Sequence, residues 1–231
     1  MTKKEPKKYH IFQIDINILN IGNTFLLILL IIISYLLYPT YITDTINNYS
    51  FLAFFAYYLA FMFIHEIIHS LAYVINGADF SKVTYGICLE KSILCCLCKQ
   101  NITKKNILWS LMSPLIFIGL ITYIIALIFK FPLLFILSIF NIAGSIGDII
   151  MYIFIKKLDN NIEFSEFDNP IKFAIYSNKD ISKEKHFGLK YITSATELER
   201  NDLRKIVIST PSIIIISLFI IVGIFLNNLN P

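Results

Sequence analysis

The stretch that decides the fold is FLAFFAYYLAFMFIHEIIHSLAYVI, residues Phe51–Ile75, because it holds an ionisable motif inside an apolar run. A helical membrane span needs about 20 apolar residues, and this run is long enough. Residues four apart share a helix face, so His65 and His69 can present two imidazoles to one metal ion. Glu66 lies beside them as a candidate general base. Ionisable groups are costly in a membrane helix and usually serve a function there, so the stretch predicts a metal site within the membrane.

The composition of the whole chain is typical of a polytopic membrane protein. Of the 231 residues, 56% are hydrophobic, against roughly 45–50% in soluble domains. The mean hydropathy is +0.68. Charged residues make up 16% and lie between the apolar runs. The net charge of +4 comes from lysine-rich segments, so it indicates membrane topology rather than nucleic-acid binding.

The apolar runs predict an all-α polytopic membrane protein with about five transmembrane helices in a single membrane domain, residues 1–231. The run at 24–43 exceeds a signal-peptide core, and no small-residue cleavage site follows it, so we expect it to remain as a signal anchor. The predicted spans are residues 24–43, 51–75, 107–129, 131–155 and 206–226.

Lysines predict the orientation, since cytoplasmic loops carry an excess of Lys and Arg. The N-terminus holds Lys3, Lys4, Lys7 and Lys8, whereas the connection 44–50 has no basic residue. We therefore expect a cytoplasmic N-terminus. The predicted cytoplasmic segments are residues 1–23, 76–106 and 156–205.

Two of these segments carry further local patterns. In Ser81–Lys99 two β-prone runs flank Glu90-Lys91, which predicts a small β-hairpin on the cytoplasmic side. The segment 156–205 mixes charges with short apolar clusters, and it predicts either a small regulatory or substrate-guiding element or a solvated connection. Ser194-Ala195-Thr196-Glu197 has the form of a capping box, which predicts a helix leading into the fifth span.

The cysteines and the remaining histidines give weaker signals. Cys88, Cys95, Cys96 and Cys98 lie in a predicted cytoplasmic segment, where thiols stay reduced, and their spacing is not that of paired CxxC zinc sites. We interpret them as small apolar packing residues, with metal binding or acylation as alternatives. His10 and His186 are expected to be solvated.

The candidate metal site has a third member in another span. Among Asp, Glu, His, Lys and Arg, the five predicted spans contain only His65, Glu66, His69 and Asp148. Each charged residue near a bilayer centre costs about 2.5–3.5 kcal/mol on insertion scales, so packing alone does not explain the group. Two histidines and one carboxylate leave the open position of a catalytic zinc ion. At about 1.5 Å per residue, His65 is about 15 Å and Asp148 about 10 Å from the inner end of its span, so the ligands can meet.

Polar and small residues precede Asp148 in the same span. Asn141 lies seven residues earlier, nearly two helical turns, and therefore on the same face of a continuous helix. It is a candidate for binding a substrate backbone or orienting a ligand, with a structural hydrogen bond as the alternative. Gly144 and Gly147 allow close helix approach or local unwinding. Pro114 and Pro211 are expected to kink their spans.

With His-Glu-Ile-Ile-His in one membrane helix and Gly-Ser-Ile-Gly-Asp (144–148) in a later one, the chain resembles the zincin peptidase family of small bacterial integral membrane proteins. That family is related in pattern to the site-2 proteases. The resemblance covers roughly residues 51–155 and implies intramembrane proteolysis in a bacterial cell membrane. It implies that His65, His69 and Asp148 bind Zn²⁺ and that Glu66 is the catalytic base. Ser81–Lys99 is similar to the membrane-associated β-element of site-2 proteases.

The expected partners follow from this interpretation: a membrane protein or peptide substrate and the lipid bilayer, with no nucleic acid. A homo-oligomer is a further possibility for the oligomeric state. The alternative to an enzyme is a non-catalytic membrane metal-binding protein or a divalent-metal transporter. Transport usually places ionisable groups along a path through the bilayer, whereas these four residues are predicted to cluster at one depth.

Overall fold

A computed structural model describes residues 8–88, 93–167, 171–184 and 186–195. The helices are α1 (Ile16–Leu37), α2 (Pro39–Asn48), α3 (Phe51–Ile75), α4 (Lys104–Pro114), α5 (Thr122–Phe129), α6 (Pro132–Gly144) and α7 (Ile146–Lys157). A π-helical segment, Leu115–Ile121, joins α4 to α5. The strands are β1 (Lys8–Ile14), β2 (Val83–Cys88), β3 (Ile93–Cys98), β4 (Ile102–Thr103), β5 (Glu163–Glu166), β6 (Lys172–Ser177) and β7 (Leu189–Ala195). The described residues divide into two compact units, described separately below.

The first unit takes its described residues from 8–20, 69–112 and 147–195, and it contains a five-stranded antiparallel sheet of order β4-β5-β6-β1-β7. The prediction of an all-α protein is therefore wrong. β1 lies in the predicted cytoplasmic N-terminal segment, and β5, β6 and β7 lie in the segment 156–205. The sheet forms because β1 pairs with strands from the far end of the described chain, which a local pattern does not reveal.

The strand β1 shows the alternation that a one-sided sheet requires. His10, Phe12 and Ile14 are buried, while their neighbours are partly or fully exposed. The rings of Phe12 and Phe154 lie 4.8 Å apart, and those of Phe12 and Phe173 lie 5.8 Å apart. Helix α7 therefore packs on the sheet through aromatic contacts. His10 is buried at 3% exposure, so the expectation that it is solvated is wrong.

The predicted hairpin is confirmed. β2 and β3 pair in an antiparallel two-stranded sheet, from Val83 opposite Cys98 to Cys88 opposite Ile93. The side chains of Cys95, Cys96 and Cys98 are buried, in agreement with a packing role. Burial raises the pKa of the Cys98 thiol above its ordinary value, which keeps the thiol protonated.

The predicted helix after the capping box is only partly within the described residues. Ser194 lies in β7, where it pairs with His10, so this part of the prediction is wrong. Residues 196–205, which the helix would also occupy, lie outside the described residues.

The second unit takes its described residues from 21–68 and 113–146 and is helical. Its core centres on Phe135 of α6, whose ring contacts those of Tyr41, Tyr123 and Tyr38 at centroid distances of 4.9, 5.0 and 5.9 Å. The division into two units does not test whether the chain is a single membrane domain, so that expectation stays a prediction.

Within the described residues, three helical stretches are long and apolar enough to cross a membrane: Ile16–Leu37, Phe51–Ile75 and Lys104–Phe129. A fourth is possible if α6 and α7, which form a pair bent by 43°, count as one span. The predicted span at 206–226, together with Pro211, lies outside the described residues. These are findings of length and composition, and the predicted orientation stays a prediction.

Two span boundaries differ from the prediction. The first helix is α1, residues 16–37 rather than 24–43, and it ends before Pro39, which opens α2 at its first turn. Proline lacks the N–H that would continue a helix and restricts the residue before it. The predicted span 131–155 is broken at Ser145, whose Oγ donates to the Asn141 carbonyl at 2.9 Å. Asn141 and Asp148 therefore do not lie on one continuous helix, as the face argument assumed.

The two glycines near this break have different roles. Gly144 ends α6, and a Cβ added there would meet nothing within 4 Å. A Cβ at Gly147 would lie 3.3 Å from Leu19 Cδ1, so this glycine allows α1 and α7 to approach closely. The helix break lies directly after Gly144, and the close helix approach is at Gly147.

Candidate metal centre

Helix α3 carries the two histidines of the motif, one turn apart on a single face. Their ligand nitrogens lie within 4.8 Å of each other. The boundary between the two units falls between Ile68 and His69. His65 therefore belongs to the second unit and His69 to the first, and their contacts are described separately. Glu66 follows His65 directly and is buried at 9% exposure.

In the second unit, His65 is held by Asn141 of α6. His65 Nδ1 and Asn141 Oδ1 lie 2.8 Å apart, and Asn141 Nδ2 donates to the Pro114 carbonyl at 3.3 Å. A carbonyl can only accept, so the Asn141 amino group must point at Pro114 and its oxygen at His65. His65 therefore donates through Nδ1–H, and in the neutral ring Nε2 carries the lone pair that a metal ion needs.

In the first unit, His69 is held by a backbone carbonyl of α4. His69 Nδ1–H donates to the Ser110 oxygen at 2.9 Å, which again makes Nε2 the nitrogen for a metal ion. The helical donor four residues after Ser110 would be the backbone N–H of Pro114, which proline lacks. The sequence thus removes a competing donor from the carbonyl that orients His69.

Asp148 lies in the first turn of α7, within the same unit as His69. Its Oδ2 is 3.5 Å from His69 Nε2, and the two side chains are 14% and 8% exposed. Both atoms carry lone pairs when His69 is neutral in this tautomer, so the pair can hold a cation between them. A proton would give an N–H···O distance of about 2.7–3.2 Å. A tetrahedral zinc ion with ligands at about 2.0–2.2 Å separates two of them by about 3.3–3.6 Å.

The 3.5 Å separation therefore fits two ligands of one zinc ion better than a direct hydrogen bond. Nitrogen and oxygen donors are what zinc takes in catalytic sites, and the hydrogen bonds at both Nδ1 atoms are the usual outer-shell support. The residues that the structure describes here fit a bound zinc ion.

The structure brings the predicted residues together in two pairs, His65 with Asn141 and His69 with Asp148. Asn141 makes hydrogen bonds to a histidine and to a backbone carbonyl, and its predicted substrate contact stays a prediction. Sequence reasoning missed Ser110, because the contact is made by its backbone. It noted Pro114 only as a kink, although a proline within an apolar span already signals a carbonyl without its helical donor.

A two-histidine helical motif with a nearby carboxylate is typical of zinc metallopeptidase centres. A family model described as "Putative zincin peptidase" matches residues 58–162, just under half of the chain. The matched segment includes both histidines, Glu66, Asn141 and Asp148, and it ends before β5. No curated protein and no solved structure matches the chain. The family match indicates a zinc-dependent metallopeptidase.

Proposed function

We propose that this protein is an intramembrane zinc metalloprotease of the site-2-protease type. Its substrate is a membrane-spanning or membrane-associated protein, and it hydrolyses a peptide bond near the cytoplasmic face. His65, His69 and Asp148 are the zinc ligands, and Glu66 is the catalytic base. The family match supports the reaction class.

The observation that carries the proposal is the pair of His69 Nε2 and Asp148 Oδ2 at 3.5 Å. The Ser110 carbonyl fixes the imidazole so that its basic nitrogen faces the carboxylate. His65 lies one turn earlier on the same helix face, and its Nδ1 has an equivalent oxygen partner. Two imidazoles that are both held through Nδ1 present Nε2 as the ligand nitrogen, as a shared ion requires.

A bound zinc ion supplies Lewis acidity: it lowers the pKa of a water molecule and polarises a peptide carbonyl. Glu66 accepts the proton of the attacking water and passes it to the leaving amine. Glu66 is 9% exposed and directly follows the ligand candidate His65 in α3. The oxygen partners of the two histidines hold the rings in place.

A helical substrate hides its carbonyls in hydrogen bonds, so the segment to be cut must unwind into an extended strand. The hairpin β2–β3 can receive such a strand by β-augmentation. Within the described part of the chain, β2 pairs with β3 on one side only. The other edge of β3 is engaged by Glu166, whose Oε2 accepts from the Cys98 N–H at 2.6 Å. The substrate strand is therefore assigned to β2.

The distribution of lysines supports the cytoplasmic assignment and a membrane location with the N-terminus inside. The predicted cytoplasmic segments include the hairpin, so the extended substrate and its released product would meet that compartment. Blocking-label accessibility of single cysteines placed at Lys82 and Lys130 tests the orientation, since these positions are predicted on opposite sides.

The central experiment replaces Glu66 with Gln. Glu66→Gln keeps the size and burial of the side chain but removes the base, so peptide hydrolysis should fall by about 10²–10⁴-fold. Zinc content, measured on the purified protein by mass spectrometry, should stay at the wild-type level. Membrane proteomes of cells with either protein then identify the substrate as the single protein that accumulates with Glu66→Gln.

Glu184→Gln is the matched control, because Glu184 is an exposed acid outside the helices and should leave zinc and hydrolysis unchanged. Full hydrolysis by Glu66→Gln would refute the catalytic assignment. Bound zinc with no hydrolysis by the wild-type protein, together with loss of metal uptake on deletion, would favour the transporter instead.

A further inference from the structure

The helix that follows Pro114 has an uncommon form in the region of His65. Residues Leu115–Ile121 are π-helical, a geometry that is rare and is often found at functional sites. In an apolar environment each backbone group that a π-helix releases needs a new partner. The Thr122 hydroxyl donates to the Ile118 carbonyl at the end of the segment.

The Pro114 carbonyl contacts Asn141, the residue that holds His65. Pro114 precedes the π-helical segment, and its oxygen accepts from Asn141 Nδ2 at 3.3 Å. Asn141 is buried at 7% exposure, so its amide has little access to other partners in solvent. Its Oδ1 then lies 2.8 Å from His65 Nδ1.

The segment also lies close to α6 beside the Asn141 amide. A Cβ added at Gly119 would be 3.4 Å from Asn141 Nδ2 and 3.0 Å from Ile142 Cγ1. The second distance is shorter than an ordinary contact, so the Ile142 side chain would have to move by a few tenths of an ångström. The missing side chain at Gly119 therefore lets the π-helical segment approach α6 closely at Asn141 and Ile142.

We propose that the π-helical segment positions His65 through Asn141. The Pro114 carbonyl fixes which way the amide points, the amide oxygen fixes the tautomer of His65, and Gly119 lets the segment approach α6 at Asn141 and Ile142. The proposal rests on the proposed function, since it takes His65 as a zinc ligand. Pro114, Gly119 and Asn141 are positioning residues and make no contact with the substrate in this role.

Two variants interrupt this series of contacts at different points. Asn141→Leu removes the oxygen partner of His65, and Gly119→Ala presses on Ile142, the residue that follows Asn141 in α6. Loss of an outer-shell partner typically lowers metal affinity by about 10–100-fold, and we expect a loss in that range for Asn141→Leu and a smaller one for Gly119→Ala. Gly144→Ala is the matched control, because a Cβ there meets nothing within 4 Å.

A third variant separates positioning from packing. Asn141→Asp keeps an oxygen that accepts from His65 but buries a carboxylate. If the oxygen matters because it orients a zinc ligand, Asn141→Asp should bind zinc more tightly than Asn141→Leu. A purely structural role predicts the opposite ranking, since a buried carboxylate is more costly than an apolar side chain of similar size.

Zinc affinity is measured by chelator competition on the purified full-length proteins in detergent. The ¹⁵N spectrum of the metal-free, histidine-labelled protein reports the tautomer, with His65 assigned from the spectrum of His65→Gln. We expect Nδ1–H in the wild type and in Gly144→Ala, and a mixture of tautomers in Asn141→Leu.

The two readouts keep the proposals apart. A wild-type protein that binds no zinc refutes the proposed function, while the tautomer in the metal-free protein still tests the positioning role. If Asn141→Leu and Gly119→Ala both keep the wild-type zinc affinity and the wild-type tautomer, the positioning role is refuted and the zinc site stands.

Discussion

Two carboxylates of the first unit, Asp148 and Glu166, are both largely shielded from solvent, but they face different kinds of partner. Glu166 is 8% exposed and accepts from two donors, the Tyr73 hydroxyl at 3.3 Å and the Cys98 N–H at 2.6 Å. Asp148 faces His69 Nε2, whose ring is oriented so that this nitrogen is an acceptor. Tyr73 follows His69 by one turn of α3, so neighbouring turns of one helix serve the two carboxylates differently.

The comparison teaches that the partner of a buried acid indicates its role better than burial does. A carboxylate that meets donors is satisfied by the fold, and it links the elements that carry those donors. Glu166 in this way connects β5, β3 and α3. A carboxylate that faces an acceptor nitrogen can share a cation with it, and Asp148 faces His69 Nε2 in this way.

The largest expected effect that tests this contrast is on metal binding. Asp148→Asn removes the charge with little change in size, and zinc affinity should fall by more than the roughly 10–100-fold of an outer-shell change. Zinc content after dialysis against a chelator measures it. Asp159→Asn, at an exposed acid paired with Lys179, is the control. Wild-type zinc content in Asp148→Asn would place Asp148 in the same class as Glu166.

The next effect is on stability. Glu166→Ala leaves the Cys98 N–H and the Tyr73 hydroxyl without their acceptor in a buried site, so the free energy of unfolding should fall by about 1–3 kcal/mol. Amide exchange at Cys98 should become faster, while zinc content is unchanged. Glu163→Ala in the same strand, whose bond to Asn101 is exposed, should have little effect. If Glu166→Ala loses zinc while Glu163→Ala keeps it, Glu166 also supports the zinc site at Asp148.

A smaller effect comes from Tyr73→Phe, which removes one of the two donors to Glu166 and keeps the ring. The remaining Cys98 bond still satisfies the carboxylate, so the unfolding free energy should drop by about 0.5–1.5 kcal/mol. Thermal unfolding measures the drop. A decrease in zinc affinity in this variant would contradict the separate roles of the two turns of α3.

The smallest expected effect is the pH dependence of the sheet, away from both carboxylates. Burial lowers the pKa of His10 below its ordinary value of 6.5, partly opposed by Asp180, because the imidazolium is disfavoured in the folded state. The unfolded chain therefore binds the proton more readily, and the stability of the neutral, buried ring is full above pH 6.5 and falls as the pH drops below it. Unfolding between pH 7.5 and 5.5 should show this loss, and His10→Gln should reduce the slope. An unchanged slope would exclude His10 as its source.

Much of the helical framework and of the candidate site is visible in the sequence. The helix Phe51–Ile75 is predicted with its observed bounds, because the apolar run is unbroken and long enough for one continuous helix. The hairpin at β2–β3 follows from two local β-prone runs. The five-stranded sheet is not visible, since Phe12 and Phe173 are brought together only by pairing between distant parts of the chain. The burial of His10 is not visible in the sequence for the same reason.

The sequence by itself determined the chemistry of this protein: a histidine pair at helical spacing, an acid beside it, and another acid in a later apolar run. Helical periodicity and the cost of charge in a bilayer are local rules, so they can be read from the residues. Only the tertiary structure decided how the rings are oriented. The Ser110 carbonyl and the Asn141 amide that hold Nδ1 of His69 and His65 come from other helices, and a backbone oxygen has no signature in sequence.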